Sequence, residues 1–244
     1  MGNNTHNIYK QFHKETKSQL RLINENNFTY KLILQVLNRY LKNNQKILDI
    51  GSGAGTLALY CGFKINQVVG VDISTQAVKS ANESAVQIGL NNVSFKVMKF
   101  PEEYPSEKFD LIICTEVIEH LEDDLKALKV IYKLLKPNGI AIVSTPSLNA
   151  PLYRIGLATD FDKRVGHLRR YTMESLRKLS KQAGFKIVSS SKQEGIIRNS
   201  LFILPHLGEL IRFIKFGLVD VVTFIDNISV KLFGESQLFI ILKK

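Results

Sequence analysis

The stretch that decides the fold is Ile47-Leu48-Asp49-Ile50-Gly51-Ser52-Gly53-Ala54-Gly55. Ile47 to Ile50 reads as a short buried strand, and Thr56 to Cys61, beyond the glycines, reads as a helix. A strand that delivers glycines onto a helix N-terminus brings backbone close to a ligand, because no Cβ stands in the way and the helix end favours polar groups. The first competitor is the dinucleotide fingerprint Gly-x-Gly-x-x-Gly. Here its last position is Thr56, and the third glycine, Gly55, comes one residue early. Asp49, two residues before Gly51, would repel a pyrophosphate but suits the ammonium of an amino-acid tail. Both departures predict a site for an aminoacyl nucleoside rather than for NAD.

Outward from this loop, strand and helix signals alternate. Val68 to Asp72 is the next strand, and Ser74 caps a helix that ends at Gly89. Val93 to Val97, Phe109 to Cys114 and Ile140 to Ser144 read as strands apolar on both faces, as parallel strands covered by helices are. A helix over about Asp123 to Leu135 stops at Lys136-Pro137-Asn138-Gly139. Thr172 caps a helix over Met173 to Ala183, strand six follows at Phe185 to Ser190, and the last strand is Leu238 to Leu242. Repeated β-α alternation predicts an α/β fold with a doubly wound parallel sheet. Residues 147–170 read as an irregular active-site segment, residues 28–42 as a helix leading into the core, and residues 1–27 as a looser helical preface.

At Asp72, about twenty residues after the glycines, a carboxylate at a strand end is placed to accept two ribose hydroxyls. Together these residues resemble the class I S-adenosylmethionine-dependent methyltransferase family, from about Gln45 to Ile187. The resemblance implies a Rossmann-like seven-stranded sheet with an antiparallel last strand and S-adenosyl-L-methionine as cofactor. It further implies that Asp49, Gly51, Ser52, Gly53 and Gly55 surround the methionine moiety, that Asp72 and Ile73 hold the ribose, and that Thr115 flanks the cofactor. After the third strand, many members have an acidic residue near the adenine amino group, whereas this chain reads Val97-Met98-Lys99-Phe100. Adenine is then left to the backbone around Lys99 and to Phe100 or Met98; plain core packing is the alternative for both side chains.

The run Phe109 to Leu121, with Thr115-Glu116-Val117-Ile118-Glu119-His120, is similar to the ubiquinone-biosynthesis O-methyltransferase branch and its small-molecule relatives, which carry Glu-x-x-Glu-His after strand four. The Asp or Asn-Pro-Pro-aromatic signature of amino-methylating DNA enzymes is absent there, and Cys114 does not follow a proline as a cytosine-C5 nucleophile does. Glu116, Glu119 and His120 share a face if the turn is helical, and three readings stay open. His120 is a general base for a substrate hydroxyl, an imidazole being suited to that task near neutral pH; the trio ligates a divalent metal that acidifies the hydroxyl; or His120 is a structural hydrogen-bonding group. A divalent metal fits the trio chemically, yet no metal is predicted. In related methyltransferases a run like Gly166-His167-Leu168-Arg169-Arg170-Tyr171 sits above the transfer site. This makes His167 a second catalytic candidate, and Glu116, Arg170 and Tyr171 candidate substrate contacts, with packing the alternative for Tyr171.

Composition narrows the partners. A chain of 244 residues with 45% hydrophobic content folds around one sizeable core. The net charge of +11 is concentrated before residue 46 and between Lys163 and Lys192. Such patches attract nucleic acid, anionic membrane or acidic substrates, or are plain solvated surface. Nucleic acid is the weaker partner because no RNA-binding module is recognisable, so a basic RNA-modifying methyltransferase is the runner-up, with a non-catalytic cofactor-binding protein behind it. Cys61 and Cys114 form no metal or disulfide pattern, and the polar start shows no secretion signal, so the expectation is cytoplasmic.

The predicted organisation is an N-terminal helical extension over 1–44, a methyltransferase core over 45–195 and 236–244, and an amphipathic helical insertion over 196–235. In the insertion, His206, Glu209, Arg212, Lys215, Asp220, Thr223 and Asp226 recur at helical spacing, and charges break every window approaching the ~20 apolar residues of a membrane span. It either roofs the acceptor pocket, lies peripherally in the inner membrane face, or forms an ordinary cap or dimer contact. The expected activity is O-methylation of a small-molecule, glycan or lipid-linked acceptor. Displacement at a sulfonium carbon asks the protein for positioning and proton removal, which agrees with the lack of a nucleophile triad.

Overall fold

The computed structural model describes residues 18–19, 21–204, 207, 214 and 217–244. Much of the expected preface over 1–27 lies outside the described residues, as do His206, Glu209, Arg212 and Lys215. The described chain runs α1 (Lys31–Leu37), β1 (Lys46–Ile50), α2 (Thr56–Phe63), β2 (Gln67–Asp72), α3 (Thr75–Ile88), β3 (Val93–Val97) and β4 (Phe109–Thr115). A 3-10 turn (Ile118–His120) leads to α4 (Asp124–Leu134), β5 (Leu135–Pro146), α5 (Pro151–Arg154), α6 (Thr159–Val165), α7 (Met173–Gln182) and β6 (Lys186–Gln193). Two further helices, α8 (Ile196–Ile203) and α9 (Gly217–Phe233), precede β7 (Gln237–Lys243).

Seven strands form one sheet in the order β3-β2-β1-β4-β5-β7-β6. Strands β1 to β5 pair in parallel, as the β-α alternation predicts, and β7 pairs antiparallel with β5 and β6, as the family resemblance implies. Successive strand residues face opposite layers. Ile47, Leu111 and Ile113 pack in the layer of α1, α2 and α3, while Leu48, Ile50, Ile112 and Cys114 pack in the layer of α4 and α7. Strand order reverses between β1 and β4, which pair up to Ile50 opposite Cys114, so the chains leaving these strand ends diverge and open a crevice. The glycine loop and Glu116 both start at that crevice.

Four expectations change. β3 is an edge strand whose Ser94, Lys96 and Val97 are exposed, so it is not apolar on both faces. The Lys136-Pro137-Asn138-Gly139 stretch stays within β5 as an irregularity opposite Phe109 and Leu111, with Asn138 at φ 64. The segment after Pro146 is not irregular throughout: Pro151 opens α5 at a position where its missing N–H costs nothing, and left-handed Gly166 closes α6. Lastly, α9 is turned over relative to its sequence pattern. Thr223, Asp226 and Ser229 are buried, and Leu218, Val221, Phe224, Ile225, Ile228 and Leu232 are exposed.

The inward polar face of α9 has a partner. Asp226 accepts from the backbone amides of Gly195 at 2.8 Å and Arg198 at 3.0 Å, supplying the anionic cap that the N-terminus of α8 needs. Asp220 pairs with Lys31 of α1 at 2.5 Å. These contacts fix α8 and α9 beside the β1–β4 crevice. No described helix is long and apolar enough to cross a membrane.

Candidate active site

The glycine loop is held from both sides. Gly51 (φ 71) and Gly55 (φ 82) adopt left-handed backbone, and an added Cβ would stand 2.4 Å from Val117 Cγ2 at the first and 2.5 Å from Phe95 Cζ at the second. Asp72, 2% exposed, accepts from Gly53 N at 2.9 Å through Oδ2 and from Ser74 N at 2.8 Å through Oδ1. A carboxylate offers about four lone-pair positions, so hydrogen bonds to these two amides do not by themselves exhaust it. Asp49 lies beneath the loop at 2% exposure with the Ala58 amide of α2 as hydrogen-bond partner. Burial pushes its carboxyl up to about 7, against the Ala58 bond and with a further push from Asp72.

Beside the loop is a cavity of about 570 Å3. Gly51, Asp72, Ile73, Lys99 and Phe100 line it, as do Met98, Glu116 and His120. Asp49, Ser52, Gly53 and Gly55 do not; they shape the loop from behind. Gly55 caps α2 and packs on Phe95 and Ala81, so its lack of a side chain serves packing rather than ligand contact.

A second cavity of about 380 Å3 adjoins the first through Glu116. Thr115, His167 and Arg170 line it, together with Tyr30 before α1 and with Glu194, Arg198 and Asn199 around the start of α8. Glu116 sits in left-handed backbone at φ 54 and accepts from Ser144 Oγ at 2.7 Å and Gln237 Nε2 at 3.0 Å. It is therefore held toward β5 and β7, and the expected trio with Glu119 and His120 does not assemble.

His167 takes the place of Glu116 in that cluster. His120 and His167 meet edge to face with ring centroids 4.9 Å apart. His120 Nδ1 lies 3.1 Å from Gly166 O, and a carbonyl only accepts, so Nδ1 carries the proton and a neutral ring keeps its lone pair on Nε2. His167 Nδ1 donates likewise to Asp162 at 2.9 Å. Against the upward push of burial, His167 and Arg170 hold the Asp162 carboxyl below the ordinary range. Arg170 clamps Asp162 through Nε at 2.7 Å and Nη2 at 2.6 Å, and its Nη1 donates to Ser147 O at 3.1 Å. Arg170 is thus chiefly a support for His167. Tyr171 lines neither cavity, is 5% exposed, and donates to Asp124 at 2.6 Å, the packing alternative of the two.

Glu119 is fully buried and accepts from Thr145 Oγ1 at 3.2 Å, while Oε1 has no hydrogen bond. Burial, and then the charge of Glu116, push its carboxyl well above the ordinary range. One ligand atom each from Glu119, His120 and His167 lie within 4.8 Å of one another, so these residues are the described group suited to a divalent cation. The second basic stretch divides. Arg169 pairs with Asp124 at 2.9 Å and Arg170 with Asp162, whereas Arg177, Lys178, Lys181 and Lys192 line an open groove between α7 and β6. That groove, about 1250 Å3, is larger than either cavity of the crevice but lacks their clustered acids and histidines.

A family described as methyltransferase domain matches residues 23–190. The chain belongs to the class I S-adenosylmethionine-dependent methyltransferase family. Among its relatives is the ubiquinone biosynthesis O-methyltransferase of Idiomarina loihiensis, 26% identical over 166 residues, or 67% of this chain and 68% of that protein. The enzyme of the same name from Paracidovorax citrulli is 30% identical over 116 residues, 46% of this chain and 48% of the relative. The match thus spans about half the length of the latter. Phosphoethanolamine N-methyltransferase 2 of Haemonchus contortus, solved with S-adenosyl-L-methionine, shares the fold with a TM-score of 0.66 at 20% identity, over 100% of this chain and 57% of that one.

Asp162, Glu194, Arg198, Asn199 and Ser236, which the fold brings to the crevice, are not among the site candidates named from the sequence. Arg198 had a visible signal, as the charge that interrupts an apolar run, but only the fold brings that run over the crevice.

Proposed function

We propose that this chain transfers the methyl group of S-adenosylmethionine to a hydroxyl oxygen of a small-molecule, glycan or lipid-linked acceptor. The observation that carries the reading is the oriented histidine pair at the junction of two cavities. In this reading the first cavity holds the cofactor, with Asp72 on the ribose and Met98 and Phe100 toward the adenine. The second holds the acceptor. The acceptor oxygen attacks the methyl carbon, the C–S bond breaks toward sulfur to leave S-adenosylhomocysteine, and the hydroxyl proton passes to an imidazole Nε2 of the pair. Asp162 and Gly166 hold the rings in the tautomer that can receive it. The exposed apolar face of α9 supports a lipid-linked acceptor, approached by peripheral contact with a membrane surface.

The Glu119–His120–His167 grouping supports a second reading, in which these residues hold a divalent cation that lowers the acceptor hydroxyl's pKa. The fit is of the 2-His-1-carboxylate kind, with Asp162 and Gly166 bonded to the outer ring nitrogens as metal-bound histidines require.

The test is incubation with methyl-labelled cofactor and a host extract, sorted into lipid, glycan, small-molecule, protein and RNA fractions. Label is expected as a base-stable methyl ether in one of the first three. Label confined to RNA would transfer the assignment to the basic runner-up, and label in no fraction would remove catalysis. Chelation that abolishes turnover, restored by added divalent cation, would select the second reading.

A further inference from the structure

The second cavity contains a buried cation that neither reading employs. Arg198 is 1% exposed, and its Nη2 donates to the carbonyl of Phe28 at 2.6 Å. Its Nε and Nη1 have no hydrogen-bond partner among the described residues. The nearby acids do not supply one. Asp226 spends its oxygens on the backbone amides of Gly195 and Arg198, and Glu194 accepts from Asn199 Nδ2 at 3.1 Å. Burial pushes the Glu194 carboxyl up to about 7, against the charge of Arg198, so it offsets that charge only in part at neutral pH.

Two more residues that line the same cavity carry an unpartnered polar atom. Asn199 Oδ1 and Ser236 Oγ, on residues 5% and 4% exposed, also lack hydrogen-bond partners. Buried polar groups are rarely left unpaired, because each forfeits its hydration without replacement. Donors and an acceptor gathered at one cavity therefore describe the outline of a polar ligand. Aromatic rings hold the guanidinium: Arg198 lies 4.0 Å from the centroid of buried Phe28 and 5.8 Å from that of Phe202, which lines the cavity. Arg170 contrasts with it, since Asp162 already takes its fork.

We infer that the methyl acceptor carries a carboxylate or phosphate bound by Arg198 Nε and Nη1, with Ser236 Oγ donating to the same group and Asn199 Oδ1 receiving a hydroxyl of the acceptor. This rests on the reading that the second cavity is the acceptor site. Guanidinium is suited to the task because it keeps its charge when buried and matches oxyanion geometry. The anion anchors the acceptor at α8 while the hydroxyl to be methylated reaches toward the histidine pair.

The test is calorimetric titration of the full chain, saturated with S-adenosylhomocysteine, with phenol, 4-hydroxybenzoate and phenyl phosphate. Both anions share the ring of phenol, and their ranking separates a carboxylate acceptor from a phosphate one. At least one anion is expected to bind about tenfold or more tightly than phenol, a difference of about 1.4 kcal/mol. Arg198→Gln should erase the preference, Arg198→Lys should keep part of it, and Ser236→Ala should weaken it without disturbing α8. Unchanged S-adenosylhomocysteine affinity in each variant shows that the fold is retained. Equal binding of phenol and both anions, no binding of either anion at millimolar concentration, or an anion preference unchanged in Arg198→Gln would overturn the inference and leave methyl transfer standing. Failure of the wild type to bind S-adenosylhomocysteine would overturn the methyl-transfer reading itself.

Discussion

His120 and His167 come from opposite sides of α4 to α6 in the chain and meet with ring centroids 4.9 Å apart, each pinned at Nδ1, one by Gly166 O and the other by Asp162. His167 Nε2 lies 4.0 Å from Glu119 Oε1, so the two pinned rings and that buried acid share one small volume at the crevice. That relationship makes the pair, rather than either residue, the unit to test.

If the pair removes the acceptor proton, His120→Ala and His167→Ala should each lower kcat by about 10²- to 10⁴-fold, the usual worth of a positioned general base. Asp162→Asn should show a smaller loss, because it frees the His167 ring without removing it. Cofactor affinity should change little in all three. Steady-state kinetics on the acceptor found by label sorting, with S-adenosylhomocysteine titrations beside them, checks this. Wild-type kcat in both histidine variants would leave the pair a structural role alone.

Asp72 carries a double duty, because it binds the amides of Gly53 and Ser74 and faces the cavity. Asp72→Ala should weaken S-adenosylhomocysteine binding by about 10- to 100-fold, as expected for the loss of one hydrogen bond to a charged group at about 1.5–3 kcal/mol. It should also lower the melting temperature by several degrees, since both amides lose their partner. Asp72→Asn separates the two effects, keeping one acceptor oxygen for the loop while losing the charge. Equal cofactor affinity in wild type and Asp72→Ala would refute the ribose assignment.

The glycine loop, the strands as elements and the caps at Ser74 and Thr172 are legible in sequence because each rests on local chemistry: φ above zero, a hydroxyl before a helix, apolar runs of strand length; the antiparallel last strand comes only with the family resemblance. Gly51 and Asp72 follow from that frame and the spacing of one βαβ unit, while Ile73 and Phe100 enter only through the family resemblance. The lining of the second cavity does not follow. Glu116 departs from its neighbours through its left-handed backbone, Ser144 and Gln237, and His167 enters through a segment whose helices are too short to show a period. Arg198 and α9 mislead for a related reason. Periodicity gives the faces of a helix but not which one turns inward, and Asp226 turns inward because α8 needs its cap.

Asp49 gives the protein a pH signature. Its folded pKa of about 7 lies above the model-compound value of 3.8, so the fold favours the protonated acid. The stabilisation is complete below the unfolded value and is lost as pH rises toward 7, by up to about 1.4 kcal/mol per pH unit. Asp49→Asn keeps an acceptor for the Ala58 amide and removes the titration. Its stability relative to wild type, read from urea unfolding of the ligand-free protein, should rise between about pH 4 and pH 7 and level off above. A difference that stays constant across that range would show that Asp49 titrates as an ordinary carboxylate.

The inverted helix α9 makes the membrane part of the proposal testable. A helix that buries Thr223, Asp226 and Ser229 while exposing Leu218, Val221, Phe224, Ile225, Ile228 and Leu232 leaves a continuous apolar stripe in water. Burying such a stripe recovers roughly 25 cal/mol per Å2, and the net charge of +11 adds attraction to anionic headgroups. The full chain should therefore float with vesicles rich in phosphatidylglycerol at low salt, and less with neutral vesicles. Phe224→Glu combined with Leu232→Glu should abolish flotation while leaving S-adenosylhomocysteine binding intact, because neither side chain reaches the cavities. Flotation that survives the double variant but disappears in high salt would assign binding to the basic surface instead. Absence of flotation on anionic vesicles at low salt would remove the membrane, and analytical ultracentrifugation would then show whether a second copy covers the stripe.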